Sequence, residues 1–164
     1  MKKILWIKDY SNPYFSIEKT EQVFLDEDNG IFEPYYRINN SPSVICYALT
    51  PEDKVLLVEQ FRPNLGHLSL ELPAGGIYVG AENNMEAASR ELKEETGWNS
   101  SLMQIGKEYW TTLNRNKSPD YGFVGVGVDF DENNKVELNT TVKQISRSKF
   151  SSLIRNNSFS QLTA

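Results

Sequence analysis

Runs of aromatic and β-branched residues alternate with polar turn sequences through much of the chain, a pattern typical of short β-strands. The predicted strands are, in chain order, Lys3–Ile7, Tyr14–Leu25, Ile31–Ile38, Ser43–Leu49, Lys54–Gln60, Met103–Trp110 and Tyr121–Phe130. The acidic segment Asp26–Gly30 is a turn signal, and Thr50–Asp53 closes a hairpin between the fourth and fifth strands. Asn114–Asp120 is predicted to be a polar loop.

A helical period replaces the strand pattern from about Ala81 to Thr96, and Gly97 is well placed to end this helix. At 100° per residue, one narrow apolar stripe is predicted along it, formed by Ala81, Met85, Ala88 and Leu92. The opposite face carries Glu82, Glu86 and Arg90. We therefore expect an amphipathic helix in the middle of the chain.

The C-terminal region is predicted to be helical as well. Ile145–Ser148 leads into an amphipathic helix that carries Phe150, Leu153 and Ile154, and the last nine residues resemble the start of another helix. Mixed strands with one helix in the middle and another at the end predict an α+β sandwich.

Composition narrows the class of protein. The 164 residues suffice for one compact domain with a sizeable core, and the net charge of −5 argues against a nucleic-acid-binding surface. Cys46 is the single cysteine, so no internal disulfide is possible, and its apolar neighbours predict an inert core thiol. Because we find neither a signal peptide nor a stretch of membrane-spanning length, we expect a soluble cytoplasmic protein.

Three glutamates on the central helix are badly placed for stability. Glu91 and Glu95 flank the apolar stripe, where a side chain is half buried, and as like charges at i,i+4 they destabilise a helix by roughly 0.2–0.5 kcal/mol. With Glu94 they crowd the helix C-terminus, whose dipole disfavours anions. This arrangement indicates a bound cation, and carboxylate oxygens suit Mg²⁺ or Mn²⁺. Arg90 either takes part in this site or only bridges Glu86 and Glu94 on an ordinary helix surface.

The stretch GIYVGAENNMEAASRELKEETGW carries a recognisable motif. It matches Gly-x5-Glu-x7-Arg-Glu-apolar-x-Glu-Glu-x-Gly-apolar at every fixed position, through Gly76, Glu82, Arg90, Glu91, Glu94, Glu95 and Gly97. The chain therefore resembles the Nudix hydrolases, metal-dependent enzymes that cleave a diphosphate linked to another moiety. Trp98 stands where that family usually has an aliphatic residue. The resemblance implies an α/β/α sandwich of mixed sheets.

Two segments before the motif resemble one branch of that family. VLLVEQFRP and LSLELPAGG are similar to segments of the ADP-ribose and ADP-sugar pyrophosphatases. In that branch an N-terminal set of strands packs across a homodimer, so the resemblance implies a β subdomain over residues 1–40, a hydrolase domain over residues 41–164 and a homodimer. The loop Ser118-Pro119-Asp120 departs from the Ser-Pro-Gly that is usual there.

The resemblance also implies roles for particular residues. Glu91 and Glu95 are expected to be the main ligands of two or three Mg²⁺ or Mn²⁺ ions. Glu94 either supports them or shares a metal, and the Ala74 carbonyl is expected to serve as a further ligand. Arg90 orients the glutamates.

On the substrate side, the resemblance implies that Arg62 faces the diphosphate, and a solvent-exposed charge is the alternative. The glycine pair that ends at Gly76 either allows close approach of the backbone to a metal or phosphate, or forms only a tight turn. Glu71 is either a ligand or substrate contact, or a structural hydrogen-bonding group.

A general base is expected downstream of the motif. The acidic pair that often supplies it aligns with Glu137 and Leu138, and only Glu137 can take a proton. Glu137, in a loop that closes over the substrate, is therefore the candidate base. The alternatives are Asp120, Asp131, Glu132 and a glutamate of the motif itself.

The implied activity is Mg²⁺-dependent hydrolysis of ADP-ribose or a related ADP-sugar, with AMP and a sugar phosphate as products. The nucleoside is expected to stack on one of the N-terminal aromatic residues Trp6, Tyr14, Phe15, Tyr35 and Tyr36. Each of these is also a candidate for ordinary packing. Another nucleoside diphosphate sugar such as GDP-mannose is the alternative substrate, and a non-catalytic ADP-ribose sensor is the alternative class.

Overall fold

Two compact units make up the fold in this computed structural model, which describes residues 6–20, 35–113, 115–159 and 161. One unit comprises Met1–Ser41 and Trp110–Pro119, and the other comprises Pro42–Tyr109 and Asp120–Ala164. The predicted turn at Asp26–Gly30 lies outside the described residues, as does the first half of the predicted strand at Ile31–Ile38.

The first unit contains a three-stranded antiparallel sheet in the order β1-β2-β3. Its strands are β1 (Trp6–Ser11), β2 (Phe15–Thr20) and β3 (Tyr36–Asn40). The predicted starts of the first and third strands, at Lys3 and Ile31, lie outside the described residues, and β2 begins one residue after its predicted start at Tyr14. The residue that opens β1, Trp6, packs its ring 3.7 Å beneath the Arg37 guanidinium, and Arg37 pairs with Glu18 of β2. Side chains of all three strands are thus linked across this sheet.

The second unit is built on a seven-stranded mixed sheet and a separate two-stranded sheet. Its strands are β4 (Ser43–Leu49), β5 (Lys54–Arg62), β6 (His67–Glu71), β7 (Ala74–Gly76), β8 (Trp98–Asn99), β9 (Leu102–Tyr109), β10 (Asp120–Val126), β11 (Asp129–Phe130) and β12 (Thr140–Ser146). The large sheet has the order β12-β5-β4-β10-β9, with β6 paired to β5 and β7 paired to β4. Among the strands that the structure describes in this unit, only β4 and β10 pair in parallel, and β8 pairs with β11.

Helix α1 (Asn84–Thr96) covers one face of the large sheet. Asn83 accepts the N–H groups of Met85 and Glu86, while the Glu86 carboxylate accepts the Asn83 N–H, so a capping box starts the helix. The predicted start at Ala81 is therefore wrong. Gly97 ends the helix with φ 78°, as predicted, because a glycine adopts this left-handed conformation without strain.

The buried face of α1 differs in phase from the predicted stripe. Met85 is exposed, and Ala87 joins Ala88 and Leu92 in the core. Together with residues of β4, β5 and β10 and two residues that directly follow β7 or precede β11, these side chains form the core under α1: Val44, Cys46, Ala48, Leu56, Ile77, Phe123 and Val128. Burial raises the pKa of the Cys46 thiol to about 12, as expected for an inert core cysteine.

Helix α2 (Arg147–Arg155) packs on the other face of the sheet. Its only buried residue, Phe150, contacts Leu49, Val55 and Leu57, which alternate with the residues under α1. The predicted helix after α2 is wrong for residues 156–159, since Asn157 turns the chain with φ 55°. A mixed sheet between two helices confirms the predicted α+β fold. No helix of the described residues is long and apolar enough to cross a membrane.

Candidate functional site

The candidate site lies where the buried face of α1 meets strand β7. Glu91 and Glu95 are only 9% and 5% exposed, more deeply buried than the predicted half burial. Glu95 Oε2 accepts the Ala74 N–H at 2.9 Å. A Cβ on Gly75 would lie 2.2 Å from the Glu91 carboxyl group, so only glycine lets β7 approach this side chain so closely. The motif and the glycine pair before it are thus packed against each other.

Arg90 holds the acidic residues together from the side of α1. Its Nη1 donates to Glu91 Oε1 at 2.7 Å and to Glu94 Oε2 at 3.0 Å. Its Nε and Nη2 donate to the two carboxylate oxygens of Glu82. Glu86 instead serves the helix cap, so the alternative of an Arg90 bridge to Glu86 is wrong.

The backbone and one aromatic ring complete the surroundings of Arg90. Nη2 also donates to the Gly76 carbonyl at 2.9 Å, and the Tyr78 ring lies 4.2 Å from the guanidinium carbon. The Tyr78 N–H in turn binds Glu82 Oε1. Four hydrogen-bonded groups and the Tyr78 ring therefore contact the Arg90 side chain, more partners than a single surface ion pair provides.

Burial and crowding disfavour the negative charge on both buried glutamates. Burial, followed by the charges of Glu91 and Glu137, raises the pKa of Glu95 to about 7, against the opposing hydrogen bond from Ala74. Burial also raises the pKa of Glu91, and the charges of Glu94 and Glu137 add to this effect while Arg90 opposes it. A cation placed among these carboxylates would relieve both penalties.

The donor set fits a hard divalent cation in its chemistry, because it consists of carboxylate oxygens. As the side chains stand, however, no group of three or more His, Cys, Asp or Glu within the described ranges is arranged to hold a metal ion. The same nitrogen of Arg90 binds both Glu91 and Glu94, and the backbone of β7 binds Glu95. These carboxylates are therefore directed to protein donors.

Glu137 belongs to the segment between β11 and β12 and faces this cluster. Its N–H donates to the Glu94 carbonyl at 3.0 Å, and its charge raises the pKa values of Glu91 and Glu95. Leu138, the next residue, is fully exposed. Of the candidate bases outside the motif, Glu137 is the one whose charge acts on both buried glutamates.

The alternative bases have other surroundings. Asp120 is buried at the start of β10 and accepts a hydrogen bond from the Ser43 hydroxyl. Asp131 accepts hydrogen bonds from the backbone and side chain of Asn133, which lower its pKa. Glu132 is exposed. Asp120 and Asp131 therefore have local structural partners.

Arg62 and Glu71 form a bidentate ion pair across the β5–β6 hairpin. Arg62 Nε and Nη2 donate to the two Glu71 oxygens at 2.8 and 2.5 Å, and these bonds lower the pKa of the buried Glu71 carboxyl. This pairing favours the structural role for Glu71. About a third of the Arg62 side chain stays exposed, and its charge lowers the pKa of Glu95, so it faces the cluster.

Four of the five N-terminal aromatic candidates fall into two groups within their own unit, and the fifth, Tyr36, is exposed. Tyr14 and Phe15 line a cavity of about 370 Å³ together with Ile38, Asn40, Thr112, Arg115 and Asn116. Trp6 and Tyr35 instead pack edge to face at 6.2 Å, with Arg37 and Arg115 over their rings. Packing accounts for this second pair.

Comparison with known proteins shows the family to which the chain belongs. Residues 39–152 match the family model of the NUDIX domain, which covers well over half of the chain and includes the whole motif. The chain therefore belongs to the Nudix family. Nudix hydrolases generally use a divalent metal ion such as Mg²⁺.

Several curated relatives are similar over part of their length. The methanol dehydrogenase activator of Bacillus methanolicus is 33% identical over 97 residues, 52% of this chain and 52% of the relative. The ADP-ribose pyrophosphatase of Bacillus subtilis is 33% identical over 75 residues, 46% of this chain and 40% of the relative. The ADP-sugar pyrophosphatase of Mus musculus is 50% identical over 50 residues, which are 30% of this chain and 22% of the relative. The chain thus spans about half or less of these relatives.

A solved structure extends the likeness to nearly the whole fold. The crystal structure of an ADP compounds hydrolase superposes with a TM-score of 0.78 over 98% of this chain and 88% of that one, at 18% identity. At this identity the likeness concerns the fold. The predicted Nudix architecture is confirmed.

Proposed function

We propose that this protein hydrolyses the diphosphate bond of ADP-ribose or a related ADP-sugar in a Mg²⁺-dependent reaction. The observation that carries the proposal is the cluster of buried Glu91 and Glu95 beside an Arg90 fixed by four partners, in a Nudix chain. The similarity to proteins named ADP-ribose pyrophosphatase and ADP-sugar pyrophosphatase supports this substrate class.

Two or three Mg²⁺ or Mn²⁺ ions would be held by Glu91 and Glu95, with Glu94 and the Ala74 carbonyl as further ligands. When bound, Mg²⁺ would neutralise the negative charge of the diphosphate and lower the pKa of the attacking water. Arg90 keeps the glutamates in place and moderates their mutual repulsion, since it already binds Glu91 and Glu94.

The remaining groups act on substrate and water. Arg62 would bind the diphosphate through the exposed part of its guanidinium, and the backbone at Gly76 would allow the substrate to approach. Glu137 would take a proton from the attacking water. The water oxygen bonds to one phosphorus, and the bond from that phosphorus to the bridging oxygen breaks, so that the other phosphate leaves. Its electrostatic effect on both buried glutamates supports this assignment.

A panel of substrates tests the proposal. ADP-ribose, ADP-glucose and GDP-mannose are each incubated with the protein and Mg²⁺, and the products are separated by chromatography. We expect AMP with ribose 5-phosphate or glucose 1-phosphate from the ADP compounds, at kcat/KM at least about tenfold above that for GDP-mannose, or about 1.4 kcal/mol. Preferred release of GMP would identify another sugar nucleotide as the substrate. Calorimetric binding of ADP-ribose without any product would instead identify a sensor.

The homodimer stays a prediction, as does the subdomain boundary near residue 40. Three strands alone form a small sheet that buries little apolar surface. Tyr10 and Ile38 on this sheet and Tyr14 in the turn before β2 are exposed, and they are the kind of surface that a second copy would cover.

A further inference from the structure

The segment between β11 and β12, residues 131–139, is bonded to the C-terminal end of α1. The Gly97 carbonyl accepts the Asp131 N–H at 3.2 Å and the Asn134 side-chain amide at 3.0 Å. One turn earlier, the Glu94 carbonyl accepts the Glu137 N–H at 3.0 Å. The last carbonyls of a helix have no partner within the helix, so this segment supplies partners that the helix needs.

Packing at Gly97 brings the two pieces of chain close together. A Cβ at this position would lie 3.1 Å from the Phe130 ring and 3.4 Å from a Val136 methyl group. Glycine therefore serves both the left-handed turn that ends α1 and the approach of the segment. Phe130, at the end of β11, and Val136, within the segment, thus rest against the helix end.

We propose that Asn134 is a positioning residue, which sets the place of the Glu137 carboxylate by binding the Gly97 carbonyl. This inference rests on the proposed function, in which Glu137 takes the proton from water. Asn134 stands three residues before Glu137. The Asn134 side chain is bonded to the Gly97 carbonyl and the Glu137 N–H to the Glu94 carbonyl, so both ends of this short stretch are held against α1. Asn134 itself stays away from substrate and acts through Glu137.

The neighbouring asparagine provides a matched comparison. The backbone N–H and side-chain amide of Asn133 both donate to Asp131 Oδ1, at 3.0 and 2.9 Å, within the same turn. Asn133 thus shapes the turn locally, whereas Asn134 reaches across to α1. If the loop needed only its own turn, Asn133 would matter and Asn134 would be dispensable.

The test combines Asn134→Leu, Asn133→Leu and Glu137→Gln in the full chain with ADP-ribose and Mg²⁺. Leucine keeps the size of asparagine and removes its donor. We expect Asn134→Leu to lower kcat about tenfold to a hundredfold, comparable to displacing a catalytic group by about 1 Å, with KM and the half-saturating Mg²⁺ concentration within about twofold of wild type. Asn133→Leu should stay within about twofold in kcat.

A double mutant separates positioning from general damage. In the Glu137→Gln background, which should itself lose roughly 10²–10⁴ in kcat, Asn134→Leu should cost less than about twofold more. A readout without substrate is hydrogen exchange at the Glu137 amide, which should accelerate in Asn134→Leu and not in Asn133→Leu. Equal losses in both backgrounds, wild-type kcat for Asn134→Leu, or wild-type kcat for Glu137→Gln would each overturn the proposal. Absence of hydrolysis by the wild type would instead refute the proposed function. In that case unchanged hydrogen exchange at the Glu137 amide in Asn134→Leu would still refute the positioning role of Asn134.

Discussion

Glu95→Gln is expected to lower kcat at least about a hundredfold, comparable to the loss of a major electrostatic stabiliser. Glu95 is buried among like charges, and its carboxylate would be a principal metal ligand in the proposed reaction. Glutamine keeps the shape and can still accept the Ala74 N–H through its amide oxygen. The fold should therefore survive, and steady-state kinetics with circular dichroism will measure both effects.

Glu86→Gln is the matched control on the same helix. Glu86 is exposed, and its carboxylate accepts the Asn83 N–H in the capping box, a position where glutamine also serves. We expect kcat within about twofold of wild type for this variant. Equal losses for the two variants would mean that the buried face of α1 has been assigned the wrong function.

Gly75→Ala is expected to lower kcat about a hundredfold, because the new methyl group would clash with the Glu91 carboxyl group. The new Cβ would lie 2.2 Å from the carboxyl carbon of Glu91, so the carboxylate must move, and a displacement near 1 Å can cost about this much. Gly75 has no positive φ, and alanine is therefore compatible with the backbone. We expect a higher Mg²⁺ concentration for half activation and an unfolding temperature close to that of wild type.

The Glu91→Ala background tests whether this contact is the cause. Without the Glu91 carboxylate, the methyl group at position 75 has nothing to displace there, so Gly75→Ala should add less than about twofold to the loss of kcat. The same large loss in both backgrounds would show that Gly75 acts through the backbone of β7 and not through Glu91.

Local sequence signals account for much of the fold. Strand β4 has the predicted bounds, the hairpin closed by Thr50–Asp53 is present, and α1 ends at Gly97. The start of α1 is also encoded locally, because Asn83 and Glu86 have the spacing of a capping box. The predicted start is wrong because helical periodicity continues over the preceding turn.

Other elements depend on contacts between distant parts of the chain. Strand β7 contains two glycines, which favour a turn when taken alone, but its three residues pair with β4. Strand β12 is largely polar, and its pairing with β5 makes it a strand. The phase of the buried face of α1 likewise follows from packing on the sheet, which exposes Met85 and buries Ala87. Periodicity within a single segment carries none of this information.

The candidate site likewise has features that the local sequence predicts and features that depend on contacts between distant segments. The spacing of Glu91, Glu94 and Glu95 along one helix is enough to indicate a cation. The close approach of Gly75 to Glu91 and the hydrogen bond from Asn134 to Gly97 join segments that are 16 and 37 residues apart, so spacing could not predict them. These contacts depend on how the chain packs in three dimensions.

Removal and return of metal test the central claim most directly. The protein is treated with excess chelator and dialysed, ADP-ribose is added, and AMP release is followed as Mg²⁺ or Mn²⁺ is titrated back. Because the clustered glutamates offer only hard oxygen ligands, we expect no turnover in the stripped protein and recovery with either ion. Undiminished hydrolysis of ADP-ribose after rigorous metal removal would contradict the proposed metal-dependent reaction.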